Sequence, residues 1–194
     1  MLRESKYVLL CFLMQISMQA ICNDSLKAGG RPVNIQLQYA GNYGLFSVGI
    51  GKSYKSNKIN VHLLYGYLPK SIGEVTVHTF ALKSSFNFID VKISPKNSLN
   101  YYTGIAVLYG ITRNTYIRYP DYFPDGYYLT NAIHASLYLG MQLHLELLNL
   151  KVKAISFLTE LGTLDHQLWA ALSTRYVTFK DIWNVSLGIA FTLK

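Results

Sequence analysis

The amino-acid sequence predicts an all-β protein, an eight-stranded antiparallel up-and-down transmembrane β-barrel that follows an N-terminal signal peptide. Apolar and polar residues alternate with period two in eight stretches, as they do in strands whose two faces meet different environments. Charged residues make up only 14% of the chain, against about 25% in ordinary soluble domains. The polar faces of the eight stretches consist mostly of small uncharged residues, which suit the narrow interior of a membrane barrel.

The N-terminal 22 residues are typical of a secretory signal peptide. A basic start precedes the apolar run 7–20, which is shorter than a membrane-spanning helix requires. The small residues Ala20 and Cys22 favour cleavage after one or the other, so we expect 23–194 to form the barrel domain. Cleavage after Cys22 removes both cysteines of the chain, and the mature protein then has no disulfide and no cysteine metal site.

The charge balance indicates a membrane partner. Without the predicted signal peptide, 16 basic and 9 acidic residues remain, a net charge of +7. A basic, tyrosine-rich exported chain, with 16 tyrosines in the full sequence, favours an anionic membrane surface over nucleic acid. We expect contacts with outer-membrane lipid and lipopolysaccharide, whose phosphates pair with Lys70, Arg113, Arg118, Arg175 and Lys180.

The first three predicted strands are short and closely connected. The first, at about 33–40, is followed by a glycine-containing turn at 41–44. The second strand occupies about 46–53, and a short polar turn at 55–58 leads into the third strand at about 59–67. All three alternate between apolar residues on one face and mostly polar or small residues on the other, with Leu64 on the polar face of the third strand.

The fourth and fifth predicted strands are separated by a turn of moderate length. A loop at 68–73 precedes the fourth strand, at about 75–88. The segment 89–100 contains a proline and is interpreted as a turn. The fifth strand, at about 101–113, leads into a long loop, 114–130, with two prolines and a glycine.

The last three strands include the longest alternating stretch of the chain. The sixth, at about 131–146, separates apolar from small or polar residues over 16 positions, well beyond an average soluble strand. A tight turn leads to the seventh strand, at about 152–163. The segment 164–180 fits either a loop or a hairpin that extends the neighbouring strands, and the eighth strand is at about 183–194.

The polar face is predicted to lie inside the barrel and the apolar face outside, against lipid. A soluble lipocalin-like carrier, which has its apolar face inside, is the alternative, but its exterior carries many charges that this chain lacks. Tyrosine and tryptophan near the strand ends suit membrane girdles. With both chain ends in the periplasm, the loops 68–74, 114–130 and 164–180 face the outside, and the turn 89–100 is longer than periplasmic turns usually are.

The whole predicted mature chain resembles small eight-stranded outer-membrane proteins in its pattern, namely the OmpA-type transmembrane domain, the palmitoyltransferase PagP and the lipid A deacylase PagL. Four stretches are similar to uncharacterised Bacteroidetes-type outer-membrane barrels: LLYGYLPKSIG, LYGITRNTY, PDYFPDGYY and ELGTLDHQLW. This second resemblance implies the fold and an outer-membrane location, and no activity.

The resemblance to the deacylases implies one enzymatic hypothesis. Those serine hydrolases have a His-x-Ser pair on one strand and a nearby glutamate, and His134 and Ser136 match the pair. If the turn after the sixth strand centres near residue 149, Glu160 lies close to Tyr138 and diagonal to Ser136, so that nucleophile, base and carboxylate meet. However, Leu137 stands where the family has asparagine, and the glutamate spacing differs. The alternative interpretation places these residues in a hydrogen-bond network of the barrel interior.

The remaining polar residues of the interior face are expected to be structural. Lys83, Glu146, Glu160 and Lys194 share this face and are expected to form ion pairs. His62, His134 and His144 share it too, but no HxH or HxxxH spacing supports a metal site, and no cofactor is expected. Because eight strands leave a narrow interior, we also expect no open solute pore.

The loop within 114–130 is the most distinctive predicted surface segment. Tyrosines offer a large, rigid contact area at small entropic cost, so the loop is a candidate for recognition of an unidentified ligand or protein. It equally fits a cover over the barrel mouth. The sequence therefore favours a non-enzymatic, monomeric barrel with a structural or surface-interaction role, whose candidate recognition residues are Tyr116, Arg118, Tyr119, Tyr122, Phe123, Tyr127 and Tyr128.

Overall fold

The computed structural model describes residues 33–54, 57–113, 115, 132–147, 152–173 and 177–193. The predicted signal peptide and the candidate recognition residues of the loop 114–130 lie outside these ranges. No helix within the described residues is long and apolar enough to cross a membrane.

Eight antiparallel strands form one closed barrel in which each strand pairs with its neighbours along the chain. The first strand also pairs with the last, and this pairing closes the sheet. The predicted eight-stranded, antiparallel up-and-down barrel is therefore confirmed. The strands are β1 (Val33–Ala40), β2 (Phe46–Tyr54), β3 (Ile59–Leu68), β4 (Val77–Ser94), β5 (Asn97–Ile111), β6 (Ile133–Glu146), β7 (Val152–Leu164) and β8 (Asn184–Leu193).

The apolar face of the strands points outward, as the alternation predicts. On β6, Leu137 and Leu139 are 50% and 51% exposed on the outer face. Ser136, on the opposite face of the same strand, points into the lumen and is 1% exposed. The same holds around the barrel, where Leu37 on β1 and Val185 on β8 are also exposed. Because a lipocalin-like carrier requires the apolar face inside, the structure excludes that alternative.

Short connections lie at one end of the barrel, together with the start of β1 and the end of β8. The prediction of a moderate turn at 89–100 is wrong. Instead, β4 runs to Ser94 and β5 starts at Asn97, leaving a two-residue turn between them. The reason is that the register shifts between Asn87 and Ile89, after which strand pairing resumes along the segment. The ends of β3, β5 and β7 and the starts of β4, β6 and β8, between which the longer connections run, lie at the other end, here called the long-loop end.

Two helices occur in the connections at the long-loop end. α1 (Lys70–Gly73) is one turn within the predicted loop 68–73. α2 (Asp165–Ser173) occupies most of the segment that the sequence left open between a loop and a hairpin, so neither alternative is right. Its leucines, alanines and glutamine favour helix, and the Asp165 carboxylate accepts the backbone N–H of His166 at 2.8 Å at its first turn.

Tyrosine and glycine residues alternate in the barrel interior between β5 and β6. Tyr102 lies opposite Gly140, and Gly104 lies opposite Tyr138. A Cβ atom on Gly140 would lie 2.4 Å from the Tyr102 ring, and one on Gly104 would lie 2.3 Å from the Tyr138 hydroxyl. Each glycine thus leaves the space that the opposite ring fills. The rings belong to the core of the protein, which lies in the lumen and also includes Leu64.

Candidate functional site

A buried ion pair lies at the centre of the lumen. The Lys83 ammonium contacts Oε1 of Glu160, and both residues are almost fully buried. Glu160 also accepts hydrogen bonds from the Tyr102 hydroxyl at 2.6 Å and from the Gln38 amide at 2.9 Å. Lys83 lies 4.7 Å from the centre of the Tyr138 ring, within the range of a cation–π interaction. The prediction that lumenal charges form ion pairs is confirmed for Lys83 and Glu160.

A polar cavity of about 660 Å³ extends from this ion pair toward the end with the short turns. His62, Gln142 and His144 contribute to its wall, with Lys83 and Glu160 at the inner end. One of these groups is already paired, since Nδ1 of His144 lies 2.9 Å from the Ser156 hydroxyl. The cavity suits water and small polar solutes.

A chain of amide side chains spans the lumen on the other side of the ion pair, beneath α2. Asn184 donates to the carbonyl oxygens of Asn42, at 2.8 Å, and of Gln167, at 3.1 Å. The Asn42 amide in turn donates to the Ser136 hydroxyl at 2.8 Å. Ser136 is therefore a fully buried member of a hydrogen-bonded layer, as the structural alternative in the sequence analysis predicts for a lumenal polar group.

Three potential metal ligands meet at the rim of the long-loop end, where β6 contacts α2. Nδ1 of His134 lies 3.1 Å from Oδ1 of Asp165, and Nδ1 of His166 lies 3.7 Å from the same oxygen. The imidazole rings of His134 and His166 are 5.0 Å apart. All three side chains remain accessible, with exposed fractions of 27%, 48% and 51% for His134, Asp165 and His166.

The local environment favours an ionised Asp165 and a neutral His166. Burial acts to raise the pKa of Asp165, but hydrogen bonds from His134 and from the His166 backbone outweigh it and hold that pKa below its usual value. Burial, followed by the charge of His134, lowers the pKa of His166, and the Asp165 carboxylate only partly offsets this. A carboxylate beside a neutral imidazole is the form in which both groups bind a cation.

The structure places the predicted catalytic residues in three different environments. His134 and Ser136 lie two positions apart on β6, but Ser136 bonds to Asn42 within the lumen. Glu160 lies opposite Gly140. Glu160 is therefore not diagonal to Ser136, as a turn centred near residue 149 would require, because Ser136 pairs with Leu164 and the register differs by two residues.

The carboxylate beside His134 is that of Asp165, which no strand pattern in the sequence singles out. Asp165 follows β7 directly and begins α2, so its position depends on how this helix lies against β6. The Asp165-His166 pair in the sequence is the only local signal for it. The hydrolase hypothesis for Ser136, His134 and Glu160 stays a prediction.

Aromatic side chains cluster on the exterior near the long-loop end. Tyr39 packs against Phe46 with ring centres 5.4 Å apart, and Tyr65 packs against Phe80 at 5.3 Å. Tyr65 also bonds through its hydroxyl to His78 at 2.7 Å. Tyrosines with an apolar ring and a polar tip suit a membrane–water interface, where the sequence predicted a girdle.

No protein-family model matches the chain, and no curated protein sequence matches it. Among solved structures, the chain is similar to the de novo designed protein TMB2.3, with 13% identity over 87% of this chain and 99% of that one, and a TM-score of 0.46. It is also similar to the N-terminal β-barrel domain of Pseudomonas aeruginosa OprF, with 15% identity over 85% and 99% of the two chains and a TM-score of 0.43. A designed transmembrane β-barrel matches with 14% identity over 86% and 98%, and a TM-score of 0.40.

Proposed function

We propose that this protein is a bacterial outer-membrane barrel whose lumen is blocked at its centre, and which has a non-enzymatic role in structure or surface interaction at its long-loop end. The observation that carries the proposal is the outward apolar face. Leu137, Leu139 and Met141 are all 40% or more exposed along one strand, and every other strand adds exposed residues of the same kind. A monomeric soluble protein rarely exposes so large a continuous apolar surface.

The strand length and the barrel closure support a position in the bilayer. β6 has 14 residues. At ~3.3 Å per residue and a tilt of about 40°, such a strand rises roughly 33 Å, more than the ~25 Å apolar band of outer-membrane barrels. Closure between β1 and β8 leaves no unpaired sheet edge, which the hydrocarbon region would not tolerate.

The packed centre of the lumen argues against a role as a solute pore. Lys83 and Glu160 occupy the centre of the lumen, and Tyr102 and Tyr138 fill the space beside them. The connections at the long-loop end are the remaining large surface. There α2 exposes Trp169 and Leu172, which are 53% and 65% accessible. Lipopolysaccharide phosphates are the proposed partner of the basic residues at this end, and the loop 114–130 is the proposed site for a further surface ligand.

Fractionation and gel mobility test the membrane assignment. The full-length protein, expressed in a Gram-negative host, should remain in urea-washed outer membranes and require detergent for extraction. Unheated samples should migrate differently from boiled samples, because a closed barrel resists the gel detergent until it is heated. A protein that is monodisperse in buffer without detergent would refute the proposal.

Deacylation of lipid A is a second candidate function, favoured by one contact. The contact between His134 and Asp165, 3.1 Å between Nδ1 and Oδ1, has the form of the base–carboxylate pair in a hydrolytic triad. Ser136, the proposed nucleophile, is buried and bonds to Asn42. Mass spectrometry of lipid A from cells with and without the protein separates the two functions, since the non-enzymatic role predicts identical acylation.

A further inference from the structure

His134, Asp165 and His166 form a cluster that the proposed function does not use. One ligand atom from each residue lies within 4.8 Å of those from the other two. The cluster joins two elements, because His134 is near the start of β6 and the other two residues begin α2. Within the described part of the chain, this is the one group of three such side chains at this spacing.

The distances fit the coordination sphere of a small divalent ion. Ligands at ~2.0–2.1 Å from a tetrahedral metal centre are separated from one another by about 3.3 Å. The two imidazole-to-carboxylate distances, 3.1 Å and 3.7 Å, lie on either side of this value. The remaining separation, between the two imidazoles, closes by side-chain rotation, for which the exposure of His166 leaves room.

The donor set selects a class of metal. Two imidazoles and one carboxylate suit Zn²⁺ and its transition-metal neighbours, whereas Mg²⁺ and Ca²⁺ prefer oxygen ligands alone. Helix geometry helps to position the carboxylate, since Asp165 accepts the backbone N–H of His166. Three protein ligands leave a fourth position for water or an external group. The partial exposure of all three side chains gives the ion direct access from solvent.

We propose that His134, Asp165 and His166 form a binding site for a borderline divalent transition-metal ion, with Zn²⁺ as its reference ligand, at the long-loop end of the barrel. The bound ion joins α2 to β6 and fixes the helix over the barrel mouth. In the membrane orientation proposed above, the site faces the outside of the cell. The site itself does not depend on that orientation.

Zinc titration of the full-length protein, folded in detergent micelles and freed of metal with a chelator, tests the site. Calorimetry with ZnCl₂ in the presence of excess MgCl₂ should show one saturable equivalent per chain. His166→Ala and Asp165→Asn should each weaken this binding by at least about tenfold, since even outer partners of metal ligands contribute that much. His78→Ala is the matched control, because His78 lies near the same end and bonds to Tyr65 instead; its titration should equal that of the unsubstituted protein.

Three results of the zinc titration would contradict the proposed site. Absence of a saturable zinc equivalent, displacement of zinc by Mg²⁺, or an unchanged affinity in the His166→Ala variant would each overturn the proposal. Heat-dependent gel mobility confirms that each variant is folded, and the exposure of His166 favours its tolerance to substitution. Because that gel assay also tests the barrel proposal, loss of zinc binding in a variant with normal mobility concerns the metal site alone.

Discussion

Removal of one partner of the central ion pair should destabilise the barrel strongly. Lys83→Met leaves Glu160 buried without its counter-ion, a loss that typically costs about 3–5 kcal/mol. Because Glu160 keeps hydrogen bonds from Tyr102 and Gln38, we expect a value near ~3 kcal/mol for this variant. Glu160→Gln removes the negative charge that pairs with Lys83 and accepts hydrogen bonds from the other two side chains. It leaves Lys83 as an unpaired buried charge, so the free energy of unfolding should fall by about 5 kcal/mol.

The double variant distinguishes a buried pair from general packing. Lys83→Met with Glu160→Gln leaves no lone charge, so its free energy of unfolding should return to within about 1–2 kcal/mol of the unsubstituted protein. The single changes are then strongly non-additive, as residues in contact are expected to be. Urea unfolding in lipid vesicles, followed by the fluorescence of the two tryptophans, measures each value. Additive changes, or single variants within about 0.5 kcal/mol of the parent, would refute a buried charge pair.

Three further substitutions probe the exterior, the packed lumen and the proposed lack of activity. Leu139→Arg places a cation on the lipid face and should make the free energy of insertion into vesicles about 2–4 kcal/mol less favourable. Glu146→Arg, at the end of β6, is the control and should insert normally. Gly140→Ala should lower the urea midpoint, since its Cβ would lie 2.4 Å from the Tyr102 ring; an unchanged midpoint means that the ring moves freely. Ser136→Ala removes the acceptor of the Asn42 amide and should lower the free energy of unfolding by about 1 kcal/mol. Lipid A mass spectra should stay unchanged in this variant, and a change in acylation would show that the barrel is an enzyme.

Period-two alternation was enough to predict the sheet and its two faces. Several residues on each strand indicate the same face, as Leu137 and Leu139 do for the outward face of β6. The prediction of a turn at 89–100 is wrong because the alternation is interrupted just before this segment. A register shift after Asn87 changes the parity of the following residues, and a bulge has no reliable signal in a single sequence. Pro95 was correctly placed in a turn, but the turn is far shorter than predicted.

The sequence does not determine strand register, and the relative positions of the candidate catalytic residues depend on it. The alternation predicts an inward position for Ser136, His134 and Glu160, and the structure agrees for Ser136 and Glu160. His134 instead lies at the rim, where its side chain is 27% exposed beside Asp165. The alternation did not determine which residue of β7 faces which residue of β6, because that depends on the geometry of a turn. A two-residue difference in register moves Glu160 away from Ser136 and toward Lys83.

The site at the rim required a contact between distant elements. His134 and Asp165 are 31 positions apart, and they meet because α2 follows β7 directly and its first turn contacts β6. Inside the barrel, alternation fixes whether a side chain points inward, and a buried polar group such as Ser136 must then find a protein partner. Beyond the strand ends, alternation no longer determines where a side chain points. His166 on α2 therefore offers a ligand atom and remains accessible to solvent. Alternation along the strands therefore predicts the packed centre of the lumen, but it cannot predict a cluster that forms where the end of a strand meets a helix.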